Sequence, residues 1–177
     1  MLANDELRTV LVSIHLSLRA ALDQVTERNI AETLRITHQS VGAALHKAPR
    51  IAVAGLNPHA GEGGLLGHEE RDLLNPELER LRAEHPGLSR CEPGDTLFAR
   101  ALRGEFDVVI ALYHDQGRAP LKVIDFDEAV NVTLGLPFPR TSPDHGTALD
   151  IAGTGRADAT SMRAAIELAV QLVIKKG

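Results

Sequence analysis

FDVVIALYHDQG, residues 106–117, is the stretch on which the fold reading turns. Phe106 to Tyr113 is the clearest buried strand in the chain, an apolar run of strand length rich in β-branched residues. It delivers His114, Asp115, Gln116 and Gly117 at its carboxyl end. Two similar runs precede it. Leu7 to Ile14 (LRTVLVSI) ends at His15, and Arg50 to Leu56 (RIAVAGL) runs into the glycine-rich turn NPHAGEGG at 57–64. Ala129 to Leu134 (AVNVTL) reads as a further strand.

Helical patterns fill the intervals. Ser17 can cap a run from Leu18 to Val25, and Ile30, Leu34, Val41 and Leu45 then form a stripe that Pro49 ends. Glu69 to Glu84 reads as a charged helix adjusted near Pro76, and Asp95 can cap a short helix holding Leu97, Phe98 and Leu102. Ser161 to Lys176 is a final amphipathic helix, with Lys175 and Lys176 matched to its dipole. Pro86 to Gly94 and Gly135 to Gly146 read as loops. Strands alternating with helices predict an α/β sheet.

Composition narrows the function. The 177 residues are 44% hydrophobic and 24% charged, enough for one good core, either whole or divided into two lobes. Aromatic residues are only 3%, with no Trp, and 19 basic residues against 24 acidic ones give a net charge of -5. A base-stacking platform and a nucleic-acid partner are therefore not expected. No apolar run approaches the roughly 18 residues of a membrane span, so no membrane partner is expected. The opening residues lack the pattern of a signal peptide, and Cys91 has no internal partner, so a cytoplasmic setting is expected.

Eight histidines are the unusual count. His15, His59 and His114 each follow a predicted strand, where ligands of open α/β sheets gather. Three imidazoles converging from neighbouring strands suit a divalent ion such as Zn or Co acting as a Lewis acid. Each also reads as an ordinary polar strand-end residue. His38, His46, His68 and His85 are most simply solvated. The glycines at 61, 63 and 64 let a backbone approach an anion, but the turn lacks the Walker lysine and the GxGxxG spacing. Asp95 and Asp115 can orient ligands or accept a proton. Lys122 can act as a general acid or base, and Arg140 can fork onto a carboxylate or phosphate. Structural ion pairing is the alternative for all four. The small residues of 145–155 can wrap an adenosine or merely connect elements.

The runs GLNPHAGEGG (55–64), YHDQG followed by PLK (113–122), VNVTLGLPF (130–138) and RTSPDHGTALDIAG (140–153), with HLSLR at 15–19, closely resemble the 4-hydroxythreonine-4-phosphate dehydrogenase family of the vitamin B6 pathway. The likeness extends from about Leu7 to the end of the chain. It implies an isocitrate/isopropylmalate dehydrogenase-like α/β/α sandwich, truncated at its amino-terminal side. Residues 1–130 would form a partial metal-binding and dimerisation lobe, and 131–177 the end of the cofactor lobe. It also implies that His15, His59 and His114 bind a divalent metal (Zn, Mg or Co), and that Lys122, Asn131 and Arg140 bind substrate. Lys122 would be the catalytic proton-transfer group, with Asp115 or Asp95, both beside the metal, as the alternative. His145, Gly146, Thr147, Ala148, Asp150 and Ile151 would meet the adenosine of NAD or NADP.

The implied reaction is oxidation of 4-phosphohydroxy-L-threonine followed by decarboxylation, in a homodimer whose active site is shared. A paralogue acting on a phosphorylated sugar acid or a dihydrodiol carboxylate, or a truncated non-catalytic metal-binding dimer domain, are the alternatives. Two departures stand out. Ser13-Ile14-His15 replaces the family's Thr-Thr-His. The resemblance also covers only the family's carboxyl-terminal half, without the opening strands of the cofactor lobe or the His-Thr pair that helps hold substrate.

Overall fold

The computed structural model describes residues 1–174. Its frame is one seven-stranded mixed sheet. In chain order the strands are β1 (Leu2–Ala3), β2 (Arg8–Leu11), β3 (Ile51–Ala54), β4 (Leu88–Glu92), β5 (Val108–Ala111), β6 (Val130–Val132) and β7 (Thr141–Pro143). They lie in the order β4-β3-β5-β2-β1-β6-β7. The first four of that order are mutually parallel, whereas β1, β6 and β7 join by antiparallel pairing.

The helices are α1 (Leu18–Leu22), α2 (Glu27–Leu45), α3 (Asn75–Leu81), α4 (Gly94–Leu102), α5 (His114–Ile124) and α6 (Thr160–Ile174). Among the described residues no helix is long and apolar enough to cross a membrane. Ser17 caps α1 by accepting from the Ala20 amide, and Thr26 caps α2 by accepting from Asn29. The stripe Ile30, Leu34, Val41 packs inward with Leu74 and Leu78 of the next helical segment against Ile51, Val53 and Ile110. On the opposite face Ala52, Ala54 and Val109 meet Leu97, Phe98 and Leu121 of α4 and α5. The alternation along β3, Ile51 and Val53 one way and Ala52 and Ala54 the other, is that of a strand covered by helices on both faces. A third, smaller cluster joins Val130 and Val132 to Ala165 of α6.

Several sequence expectations change. The stretch expected to be loop, Pro86 to Gly94, contains β4 and the first residue of α4. Strand β7 lies inside the stretch 135–146 expected to be loop. The segment after His114 is a full helix despite Gly117 and Pro120. Asp95 sits within the first turn of α4, whose cap position is Pro93, so it donates its charge to the helix terminus rather than capping it. His38 and His85 turn inward. Their rings lie 4.6 Å apart, His38 Nε2 and His85 Nδ1 are buried without protein partners, and burial, followed by His38, lowers the His85 pKa. The dipole match expected of Lys175 and Lys176 falls outside the described residues.

At the amino ends of the parallel strands, Asp107 ties three elements together. Its carboxylate accepts from the Arg50 amide at 2.8 Å, from Arg50 Nε and Nη2 at 3.1 and 3.0 Å, and from Lys47 Nζ at 2.9 Å. Burial raises its pKa, but these bonds outweigh burial and hold it well below the usual carboxylate range. Because the folded-state pKa is depressed, the stabilisation is full above about pH 4 and is lost as pH falls toward the depressed value. Asp107→Asn should cost about 2 kcal/mol in urea denaturation at pH 7. It should also flatten the loss of stability below about pH 4.

Candidate active site

Parallel strands deliver their following residues to a single edge, and four of them do so here. Beyond the β2–β5 ladder, Val12 donates to the Ala111 carbonyl and Ser13 to Leu112, and Ser13 Oγ donates to the same Leu112 oxygen at 2.9 Å. This extended pairing carries His15 beside His114. Their ring centroids are 5.5 Å apart.

His114 is the first residue of α5, and its Nδ1 lies 2.7 Å from Asp115 Oδ1, which leaves Nε2 as the nitrogen open to a ligand. Gln116 locks the junction. Its Oε1 accepts from the Leu112 amide at 2.7 Å, and its Nε2 donates to the Gly55 carbonyl at 2.6 Å, joining the ends of β5 and β3. A Cβ at Gly117 would fall 2.6 Å from Leu11 Cδ2, so glycine is what lets α5 sit against β2. Each letter of HDQG thus has a separate structural reason.

His59 stands in an unusual turn after β3. His59, Ala60, Gly61, Glu62 and Gly63 have φ of 54, 51, 79, 45 and 67°, a turn of left-handed helix. Left-handed backbone costs roughly 1–2 kcal/mol for each non-glycine residue, and three of the five carry side chains. Such strain persists only where surrounding contacts impose it. Beneath the turn lies the carboxylate of Glu70, which a reading of 69–84 as a charged surface helix overlooks.

The structure gathers two of the three expected metal ligands. Among the described residues, no group of three or more His, Cys, Asp and Glu is close enough to hold a metal ion. The His15–His114 pair fits a divalent cation in donor type and in its free Nε2, with His59 on the loop after β3, the strand next to β5. Asp95 follows β4 in the first turn of α4, and the Asp115 carboxylate is mostly exposed beside His114. Cys91 is no nucleophile: burial, then Glu70 and Glu92, push its thiol up to about 12.

The other expected residues lie farther along the sheet. Lys122 is eight residues beyond His114 on α5, about 12 Å along the axis. Its Nζ donates to the Asp144 carbonyl at 2.8 Å and pairs with Asp144 Oδ2 at 2.9 Å. Arg118, one turn earlier, reaches Asp144 Oδ1 at 2.6 Å. Sequence reasoning missed Arg118 and Asp144, although the spacing of Arg118 and Lys122 places two cations on one helix face once α5 is known. Asn131 is the middle residue of β6, and Arg140 Nη1 donates to Thr133 Oγ1 at 2.7 Å. Residues 145–150 are exposed, with Ala148 left-handed at φ 46° ahead of a short turn at Leu149–Ile151. A groove of about 1210 Å³ lies between α2, residues 133–139 and α6, and none of the candidate ligand histidines lines it. A smaller pocket of about 250 Å³, lined by Leu18, Leu22, Leu56, Asn57 and Tyr113 among others, adjoins the start of the His59 turn.

A family model described as pyridoxal phosphate biosynthetic protein PdxA matches residues 1–169. The chain belongs to the PdxA family. It is 52% identical over 174 residues to a 4-hydroxythreonine-4-phosphate dehydrogenase of Beijerinckia indica, covering 98% of this chain and 52% of that relative. The crystal structure of the 4-hydroxythreonine-4-phosphate dehydrogenase of Klebsiella pneumoniae superposes with a TM-score of 0.89 at 43% identity, over 96% of this chain and 51% of that one. A terephthalate 1,2-cis-dihydrodiol dehydrogenase of Burkholderia xenovorans gives 0.77 at 30% identity, over 96% and 54%. The chain spans about half the length of the relatives it matches.

Asp144 is the bond between α5 and the 145–151 segment. Asp144→Asn would leave two cations side by side without their carboxylate. The expected result is a loss of about 2 kcal/mol in urea denaturation, with faster amide exchange confined to α5 and residues 144–151.

Proposed function

We propose that this chain carries the metal- and substrate-binding half of an NAD- or NADP-dependent dehydrogenase acting on 4-phosphohydroxy-L-threonine in pyridoxal phosphate biosynthesis. The observation that carries the reading is the pairing of His15 and His114 at the carboxyl ends of β2 and β5, in a chain 52% identical to a 4-hydroxythreonine-4-phosphate dehydrogenase. The fold reading that accompanies it is the isocitrate dehydrogenase-like sandwich, with 131–177 as part of the cofactor lobe.

In this reading His15, His114 and His59 would hold the divalent cation, and residues 145–151 would receive the adenosine of the cofactor. When bound, the cation would supply Lewis-acid polarisation of the secondary alcohol and the nicotinamide would supply the hydride acceptor. Arg140 and Asn131 bind the anionic groups of the substrate, Arg140 by a forked contact. Lys122 donates to the Asp144 carbonyl and lies against its carboxylate. In this reading Lys122 gives a proton to the carbon from which carbon dioxide departs, while Asp115 or Asp95 takes the alcohol proton. The exposed Ile14, Leu16 and Leu18 flanking His15 support a second subunit seated on this edge, in a homodimer that shares the site.

A second reading, a dihydrodiol carboxylate as substrate, draws on the likeness to the terephthalate dihydrodiol dehydrogenase. Two measurements test these proposals. Divalent metal content should fall to background in His59→Ala and in His114→Ala; equal content in the variants and the parent would remove the ligand assignment. Joined to the amino-terminal half of a relative, the chain should reduce NAD with 4-phosphohydroxy-L-threonine in a metal-dependent assay, whereas alone it should give little or none. Turnover of a dihydrodiol carboxylate but not of the phosphorylated substrate would favour the second reading.

A further inference from the structure

We propose that Glu70 is a positioning residue, whose buried carboxylate holds the left-handed turn bearing His59 and thereby sets how that imidazole meets a divalent cation. The inference rests on the reading of His59 as a metal ligand given above.

Glu70 is 1% exposed, and no Lys or Arg among the described residues pairs with it. The contrast is Glu77, 5% exposed, which Arg80 grips at 2.5 and 2.8 Å. Burying a carboxylate without a cation is unfavourable unless hydrogen bonds satisfy it. Both hydrogen bonds that Glu70 accepts come from the residue that opens the His59 turn. The Asn57 amide donates to Oε1 at 2.7 Å and Asn57 Nδ2 donates to Oε2 at 2.9 Å.

The rest of the surroundings is shaped to the same carboxylate. A Cβ on Gly61, in the middle of the turn, would lie 2.7 Å from Glu70 Oε2, and one on Gly55, at the end of β3, would lie 3.3 Å from Oε1. Gly67 closes the other side, where a Cβ would meet Asn57 Nδ2 at 2.3 Å. Glu70 itself begins a π-helical turn, Glu70–Leu74, ahead of α3. Such a turn holds one residue more than the α-helical hydrogen-bonded ring and recurs at functional positions. Glu69, next to it, is exposed, and its Oε2 accepts from the same Asn57 Nδ2 at 2.7 Å and from the His68 amide at 3.0 Å.

Three local exceptions therefore meet at one point: a left-handed turn with side chains on it, a π turn, and a buried carboxylate with no cation. The Asn57 backbone amide needs one acceptor; Glu70 brings two oxygens and buries its whole carboxyl group to do so. The two oxygens of Glu70 fix both donors of Asn57, and with them the entry into His59. Glu70 lies under the turn, so it acts through His59.

Cobalt(II) binding to the full 177-residue chain, followed by its visible absorption, and amide exchange across residues 57–64 test this together. Glu70→Gln keeps the volume but turns one acceptor into a donor facing Asn57. The expected result is exchange at least about tenfold faster in 57–64 and cobalt affinity weakened by about 10- to 100-fold, as for residues that orient metal ligands, with the far-ultraviolet circular dichroism of the parent. Asn57→Ala, at a partly exposed residue, should do the same and replaces Glu70→Gln if that variant does not fold. His59→Ala is run in parallel. Unchanged exchange in Glu70→Gln and Asn57→Ala overturns the inference. So does faster exchange with parental cobalt affinity while His59→Ala loses cobalt, an outcome that leaves the ligand reading intact. If His59→Ala binds cobalt as the parent does, or the parent binds none, the ligand reading fails and the role of Glu70 falls with it.

Discussion

Everything chemical in this molecule depends on β5 being paired in parallel on both sides. Val109 lies opposite Thr9 of β2 and Ala52 of β3, and all four residues of β5 are buried. Parallel neighbours must send their following residues to the same edge, so Ser13–His15, Asn57–Gly64 and His114 have no choice but to emerge together. A slip of one residue would exchange the two faces of the strand and place Ile110 where Val109 meets α5. The Asp107 anchor at the opposite end opposes such a slip, because it ties the first residues of β5 to Arg50 at the start of β3. The side-chain bonds of Gln116 do the same at the functional end.

The antiparallel side of the sheet serves a different purpose. β1 reverses direction after only two residues, and β6 and β7 then turn the chain back, so that Asn131 and Arg140 stand on the far side of β2 from His59. What joins the two regions is α5. It starts with His114 at the parallel edge and, in its last turn, carries Lys122 bound to Asp144, the residue just before the 145–151 segment. One helix of eleven residues thus spans from the histidine pair to the expected cofactor segment.

How much of this could be read from the chain follows from burial. β3 and β5 are covered on both faces, so their apolar runs are unbroken and legible. β4 is an edge strand with the pattern buried, half-buried, exposed, buried, half-buried, and LSRCE between Gly87 and Pro93 resembles loop. α5 was hidden by Gly117 and Pro120, residues that disfavour helix interiors. Packing overrides the first, since Leu11 and Ala111 leave no room for a larger side chain. His15 and His114 were legible because strand ends are predictable. Asp144 and Glu70 were not, because a carboxylate in a polar stretch looks the same whether it faces water or a buried amide.

The ordinary rules hold where the frame is built and fail at the candidate active edge. Ser17 and Thr26 cap their helices, Ile30, Leu34 and Val41 keep their stripe, and Asp107 meets cations as a partly buried carboxylate should. Around His59 the backbone is left-handed at three non-glycine residues, the next helical segment opens in a π turn, and the carboxylate between them lacks a cation. The strained turn and the buried carboxylate meet through Asn57, which donates twice to Glu70. Glycine at 60 and 62 would relieve most of the backbone strain, yet this chain carries side chains there. The coincidence of the three exceptions within one turn of His59 is therefore better explained by where that imidazole has to be than by the needs of the sheet beneath it.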